Sequence, residues 1–120
     1  LEQMISSLPD PERAPLPLAD FMQQATDAVA LLKALSHENR LLILCILCKG
    51  EKTVGELEEM LHLQQAIVSQ QLARLRADGL VSSRREGRQI YYSIANPLVQ
   101  DVVALLYRMY CAPKVAQITP

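Results

Sequence analysis

Hydrophobic positions along the chain follow two different periods. From Leu18 to Leu35 the apolar residues return at helical spacing: Leu18, Phe21, Met22, Ala25, Ala28, Val29, Leu32 and Leu35 share one broad face. Gln23, Gln24, Asp27 and Lys33 lie off it, and packing is the plain reading of the face. Ser36 offers a side-chain oxygen to cap a second helix, with Glu38 in its first turn. That helix, expected over residues 39–49, holds eight consecutive apolar residues from Leu41 to Cys48. It should therefore be buried nearly all round, and Gly50 should end it. Cys45 and Cys48 stand about one turn apart on it.

Thr53 and Glu56 have the spacing of a capping box, so a short helix is expected from there through Leu61. Leu57, Met60 and Leu61 should point inward, and Glu56, Glu58 and Glu59 outward. After a brief link at His62–Gln64 the helical period resumes, with Val68, Leu72 and Leu75 on the apolar face. The other side carries Ala66, Ser69, Gln70 and Arg74, flanked by Gln65 and Gln71, and Gly79 marks the stop. Past Gly79 the residues become β-branched and aromatic, in Val81–Arg85 and Gln89–Ile94 around Glu86-Gly87-Arg88. This is a hairpin signal with Gly in the loop. Asn96-Pro97 then caps a last helix running to Tyr110. Leu98, Val102, Leu105, Leu106 and Met109 form its stripe, and Val99 and Val103 broaden it beyond what one small domain needs to bury.

The fold class that follows is mainly α with a small β-hairpin wing, in the order α1-α2-α3-α4-β-β-α5. Two short helices, a tight turn and a polar-faced second helix make a helix-turn-helix. A chain of 120 residues suits one such domain, expected over 18–112, between a Pro-rich arm at 1–17 and a tail at 113–120. Four of the seven prolines fall in the arm.

Charge sharpens this picture. The whole chain carries a net −1, but residues 64–95 hold five Arg against Asp78 and Glu86, a net +3. One basic region on an otherwise acidic body suits a single polyanion-facing surface. Short amide and hydroxyl side chains enter a major groove without blocking the backbone, and Gln bonds adenine edges favourably. The polar side of this helix is thus a candidate surface for double-stranded DNA. Arg84, Arg85 and Arg88 around a Gly-centred tip make a cationic finger for phosphates or a minor groove. The plain alternatives are a solvated helix face and a hairpin edge guarded by charge.

Taken together, LLKALSHENRLLIL (31–44), TVGELEEML (53–61), VSQQLARLRADGLV (68–81) and REGRQIYYSI (85–94) resemble the ArsR-type bacterial repressors over residues 19–112. The resemblance implies a homodimer joined through the first and last helices, bound to a pseudo-palindromic operator and released by an inducer. Phe21, Met22, Val102, Leu105, Leu106 and Met109 would form the dimer interface. The family's recognition-helix contacts to double-stranded DNA would map onto Gln65, Ser69, Gln70 and Gln71. Gln71 stands where His is common in the family, and Ala66 where Ser is common, so no operator sequence is carried over.

Many ArsR-type proteins sense metals. One family site uses Cys-x-Cys at the start of the third helix, where this chain has Thr53–Leu57 with no Cys or His. Another uses Asp-x-His on the last helix. Asp101 is present, but Val103 replaces the His. No metal or other cofactor is expected. Cys45, within RLLILC (40–45), and Cys111, within LYRMYC (106–111), match the sulfide- and persulfide-responsive subgroup. The match implies that a reduced dithiol binds DNA and that oxidation or persulfides bridge Cys45 to Cys111 and release it. Arg108, one turn before Cys111, favours the reactive thiolate, while the helix C-terminus opposes it. Cys48 reads as a small buried apolar residue.

Three alternatives remain beside this reading, one of them a pure protein-interaction module, which would show no salt-dependent binding to duplex DNA. A metal-responsive repressor of the same family would draw on Cys45, Cys48 and Cys111 with His37 or His62. A thiol–disulfide enzyme would use Cys45-Ile-Leu-Cys48, but such sites open an exposed helix, whereas this one lies inside an apolar helix. No Ser/His/Asp arrangement or phosphate-binding Gly loop appears, so no enzyme is expected. Three cysteines without a secretory signal or a membrane-length apolar run give a cytoplasmic expectation. The opening Leu1 suggests a trimmed start.

Overall fold

The computed structural model describes residues 17–111, so all of the expected arm but Pro17, and the tail at 113–120, lie outside the described residues. Helix α1 spans Leu18–Leu35, the bounds its periodicity foretells. The chain divides into two compact units at Leu32/Lys33. The second unit contains α2 (Glu38–Leu47), β1 (Lys52–Thr53), α3 (Val54–Leu61), α4 (Gln65–Ala77), β2 (Val81–Glu86), β3 (Gln89–Ile94) and α5 (Pro97–Tyr110). This is the expected winged helix-turn-helix order, with β1 added. The two-residue strand β1 pairs antiparallel with β3 and makes a three-stranded sheet, β1-β3-β2.

The core of this unit forms where the helical stripes meet. Ile43, Leu44 and Leu47 of α2, Leu57 of α3, Val68, Leu72 and Leu75 of α4, and Val99 and Val103 of α5 are buried. Leu80 and Val81 close it beneath the sheet. Removing each large side chain from water contributes about 1.5–3 kcal/mol, which fixes α4 against α2 and α3.

Several local expectations need correction. Ser36 does not cap α2. Its hydroxyl donates back to the Lys33 carbonyl at 2.7 Å, and His37 occupies the cap position without a side-chain bond. Helix α2 is not buried all round: Leu42 is 41 % exposed, because core elements pack on only part of its circumference. Met60 points outward at 52 % exposure, leaving Leu57 as the buried anchor of α3. The hairpin turn is tighter than expected. Glu86 belongs to β2 and pairs with Gln89, so only Gly87 and Arg88 turn the chain. Gly87 alone of the two takes a positive φ, 62°, as in a type II′ turn.

The start of α3 follows from sequence chemistry alone. The Glu56 amide donates to Thr53 Oγ1 at 3.2 Å, and the Thr53 amide donates to Glu56 Oε1 at 3.0 Å. Both bonds satisfy amides that the helix itself leaves unpaired. Thr53→Ala should destabilise the protein by ~1 kcal/mol, lowering Tm by roughly 4–8 °C. Thermal unfolding followed by circular dichroism measures it. The α3–α4 turn begins at His62, which sits in the left-handed region at φ 55° and ends α3.

Candidate functional site

Helix α4 keeps its buried stripe on α2 and α3, which turns its other side out. Gln65, Ala66, Ser69, Gln70 and Arg74 are exposed. Gln71 differs from its neighbours: it is half-buried, and its amide oxygen accepts a 2.8 Å hydrogen bond from Arg40 Nε on α2. Arg40 therefore orients one flank of the polar helix, a role its place in an apolar helix did not announce. Arg74 reaches Asp78 at 3.4 Å near the helix end, an exposed pair worth little to stability.

The three wing arginines do not share one environment. Arg84 Nε donates to Glu51 Oε2 at 2.9 Å, its Nη2 donates to Glu51 Oε1, and its Nη1 donates to Glu86 Oε2 at 2.6 Å. The guanidinium also lies 4.6 Å from the Tyr91 ring centroid. Hydrogen bonds from Arg84 hold the Glu51 carboxyl below the usual carboxylate range, and the two carboxylates hold Arg84 protonated. Arg85 is exposed, and its Nε donates to the Gly87 carbonyl at 3.3 Å. Arg88 is exposed in the turn. It lines a shallow groove with Val54, Gly55, Glu58, Gln65 and Gln89, so the wing tip and the start of α4 border one recess.

The thiols lie on α2 and at the end of α5. Cys45 and Cys48 are half-buried, and Cys111 is exposed. Burial pushes the Cys45 thiol up from its ordinary value, and the nearby Cys111 and Cys48 thiolates would push it further. Burial also raises Cys48. Cys48 Sγ approaches the Gln100 carbonyl at 3.8 Å, and Gln100 Nε2 donates to the Cys48 carbonyl at 3.4 Å. Lys49 Nζ donates to the Tyr107 hydroxyl at 3.4 Å and stands 5.0 Å from that ring's centroid. These bonds tie the end of α2 to Gln100 in the first turn of α5 and to Tyr107 in its last. Among the described residues no three His, Cys, Asp or Glu side chains are grouped to hold a metal ion.

These environments give different reactivities. Cys111 should be alkylated by iodoacetamide before Cys45 at pH 7.5, and the Cys45 rate should keep rising with pH above the ordinary thiol range. The sign follows because the thiolate reacts, and the raised pKa of Cys45 moves its formation to higher pH. Peptide mass spectrometry of timed samples reads both rates.

The residues expected at a subunit seam are divided in exposure. Phe21 and Met22 on α1, and Val102, Leu105 and Met109 on α5, are exposed apolar side chains, whereas Leu106 is half-buried. Among the described residues no helix is long and apolar enough to cross a membrane.

Comparison with known proteins gives consistent relatives. Residues 37–83 match the family described as bacterial regulatory protein, arsR family. The chain is 44 % identical over 98 residues to the transcriptional activator HlyU of Vibrio cholerae, covering 82 % of this chain and 91 % of that one. It is 42 % identical to the biofilm growth-associated repressor of Agrobacterium fabrum, covering 82 % and 85 % of the two chains. Among solved structures, reduced HlyU from Vibrio cholerae superposes with a TM-score of 0.74 at 44 % identity, over 78 % of this chain and 99 % of that one. The transcriptional repressor BigR of Xylella fastidiosa gives 0.71 at 39 % identity, over 82 % and 100 %. With sequence likeness spanning nearly the whole of these relatives, and the same winged fold beneath it, the chain belongs to the arsR family of bacterial transcriptional regulators.

Proposed function

We propose that this regulator is a homodimeric repressor whose grip on operator DNA is released when Cys45 and Cys111 of one chain are bridged. Operator bases are read by Gln65, Ser69 and Gln70, with Gln71 held at the flank by Arg40. Phosphates are met by Arg85 and Arg88 at the wing tip. The observation that carries the switch is that α2, with Cys45, packs within a single chain against α5, which ends at Cys111. The two helices are also joined by the Cys48–Gln100 and Lys49–Tyr107 contacts. Helix α2 carries both Cys45 and Arg40, and Arg40 bonds the DNA-facing helix. A strained or shifted α2 therefore has a direct contact through which to disturb α4. That a similar HlyU structure is of a reduced form supports a redox reading.

The chemistry balances with a persulfide as oxidant. One cysteine thiolate takes the outer sulfur of an organic persulfide and expels the organic thiol. The other thiolate then attacks the protein-bound sulfur of the new persulfide and expels hydrosulfide. The net products are one disulfide, one thiol and one hydrogen sulfide. If both cysteines are first persulfidated, loss of hydrogen sulfide leaves a three-sulfur bridge instead.

The test begins with a duplex selected from a random pool by the reduced protein. Its affinity is measured before and after treatment with glutathione persulfide. A fall of ~5–150-fold, the usual allosteric range, is expected. The bridged product should migrate as a single chain on a non-reducing gel. Unchanged affinity after demonstrated bridging overturns the switch while leaving DNA binding intact. Loss of affinity on stoichiometric zinc binding would favour the metal-responsive reading instead.

A further inference from the structure

We infer that Arg84 is a positioning residue which braces the wing through Glu51, and does not itself contact DNA. This rests on the DNA-binding reading above and assigns a different role to one of the three wing arginines.

The bracing follows from the sheet. Arg84 on β2 pairs directly with Tyr91 on the central strand β3, and Tyr91 pairs on its other side with Thr53 of β1. These three residues form one row across the sheet. The Arg84 guanidinium extends along that row over the Tyr91 ring and reaches Glu51, which immediately precedes β1. Two of its nitrogens grip the two Glu51 oxygens in a fork, and the third donates to Glu86. All three nitrogens are thus engaged by carboxylates within the protein, and the cluster of Arg84, Glu51 and Glu86 carries a net −1. A phosphate approaching it meets two carboxylates that already hold the cation. Arg85, one residue on, points to the other face of the strand and belongs to the tip.

The clamp has a physical purpose. A two-stranded ribbon is marginal by itself and bends freely. Beyond Thr53 the strand β1 gives the ribbon no neighbour, so most of the wing is paired on one side only. The fork from Arg84 to Glu51 ties the far strand of the ribbon to the start of β1, across the strand between them. Ordering the wing before it meets DNA removes that ordering cost from binding.

The test turns on a sign. Glu51→Gln removes a negative charge near the proposed DNA surface, and charge alone would tighten binding. Bracing predicts the opposite: affinity for the selected duplex should fall ~2–5-fold per wing, the range an exposed ion pair supports. Arg84→Gln should weaken binding to a similar extent, and Glu51→Gln should add nothing in its background. The charge exchange, Glu51→Arg with Arg84→Glu, made together with Glu86→Gln so that no carboxylate faces the new Glu, should restore much of the affinity, which a phosphate contact would not allow. Thermal unfolding of each variant checks that the fold is kept, and a wild-type Tm with weakened binding is the expected combination. Unchanged or tightened binding by Glu51→Gln, or no recovery in the exchanged pair, overturns the bracing role alone. A wild-type chain without salt-dependent binding to any duplex overturns the DNA-binding reading and this role with it.

Discussion

Leu105→Glu should convert the protein to monomers and lower its affinity for the selected duplex by roughly 100-fold or more, the scale on which a second linked contact acts. Leu105 lies at the centre of an α5 stripe that is uncovered among the described residues: Leu98, Leu105 and Met109 are 70 %, 45 % and 53 % exposed. The opposite side of the same helix is different, since Val99 and Val103 there are buried. The stripe is continuous, at i, i+7 and i+11 with Val102 between, and contains no charge. An apolar strip of this kind is the usual signature of a surface meant for a partner. Helix α1 separately exposes Leu18, Phe21, Met22, Val29 and Leu32. A carboxylate placed in such a seam would be buried without a partner, which costs far more than a lost methyl group. Two DNA-reading helices held in one dimer bind two half-sites together, and a monomer retains only one. Sedimentation velocity reads the oligomeric state, and fluorescence anisotropy with the labelled duplex reads the affinity. A variant that remains dimeric and binds normally would move the seam away from α5.

Cys45→Ser and Cys111→Ser should each abolish the response to glutathione persulfide while leaving the reduced protein's affinity within about twofold of wild type. A disulfide needs both sulfurs, so either substitution is sufficient, and the wild-type fall of ~5–150-fold should vanish in each. Cys48→Ser should keep the response. Its sulfur meets the Gln100 carbonyl, an acceptor that a hydroxyl also satisfies. If Cys48→Ser removes the response and Cys111→Ser does not, the bridge runs along α2 and the switch needs a different geometry. On the proposed switch, exposed Cys111 is expected to meet a bulky persulfide first, and half-buried Cys45, with its raised pKa, to close the bridge. The response should therefore quicken as pH rises through the range in which Cys45 ionises.

Local rules settled a large part of this molecule before any packing was known. The capping box at Thr53 and Glu56, the Asn96-Pro97 start of α5, the Gly79 stop of α4 and the hairpin centred on Gly87 each depend on residues a few positions apart. Such contacts are written in sequence spacing because the chain itself brings the partners together. The period-3.6 stripes likewise foretold the buried Val68, Leu72 and Leu75, and so left Gln65, Ser69 and Gln70 facing out. The register was not legible in the same way: a loop of Glu86-Gly87-Arg88 would set Arg84 opposite Ile90, and only the tighter two-residue turn sets it opposite Tyr91.

What the spacing could not hold was any contact between distant segments. The two-residue β1 is too short to show a period, so Glu51 gave no sign of being the partner of Arg84, and all three wing arginines looked equally free. Arg40 sat in an apolar helix with nothing nearby in sequence to name Gln71 as its acceptor. A run of eight apolar residues told of burial but not of its direction; packing on one side left Leu42 outside. That the helix bearing Cys45 packs against the one that ends at Cys111 is likewise a property of how α2 and α5 meet. Sequence determined the elements and their polar faces, since these arise within a turn or two of chain. Tertiary structure alone decided which charges are already paired and which thiol-bearing helices meet, because only packing makes distant positions adjacent.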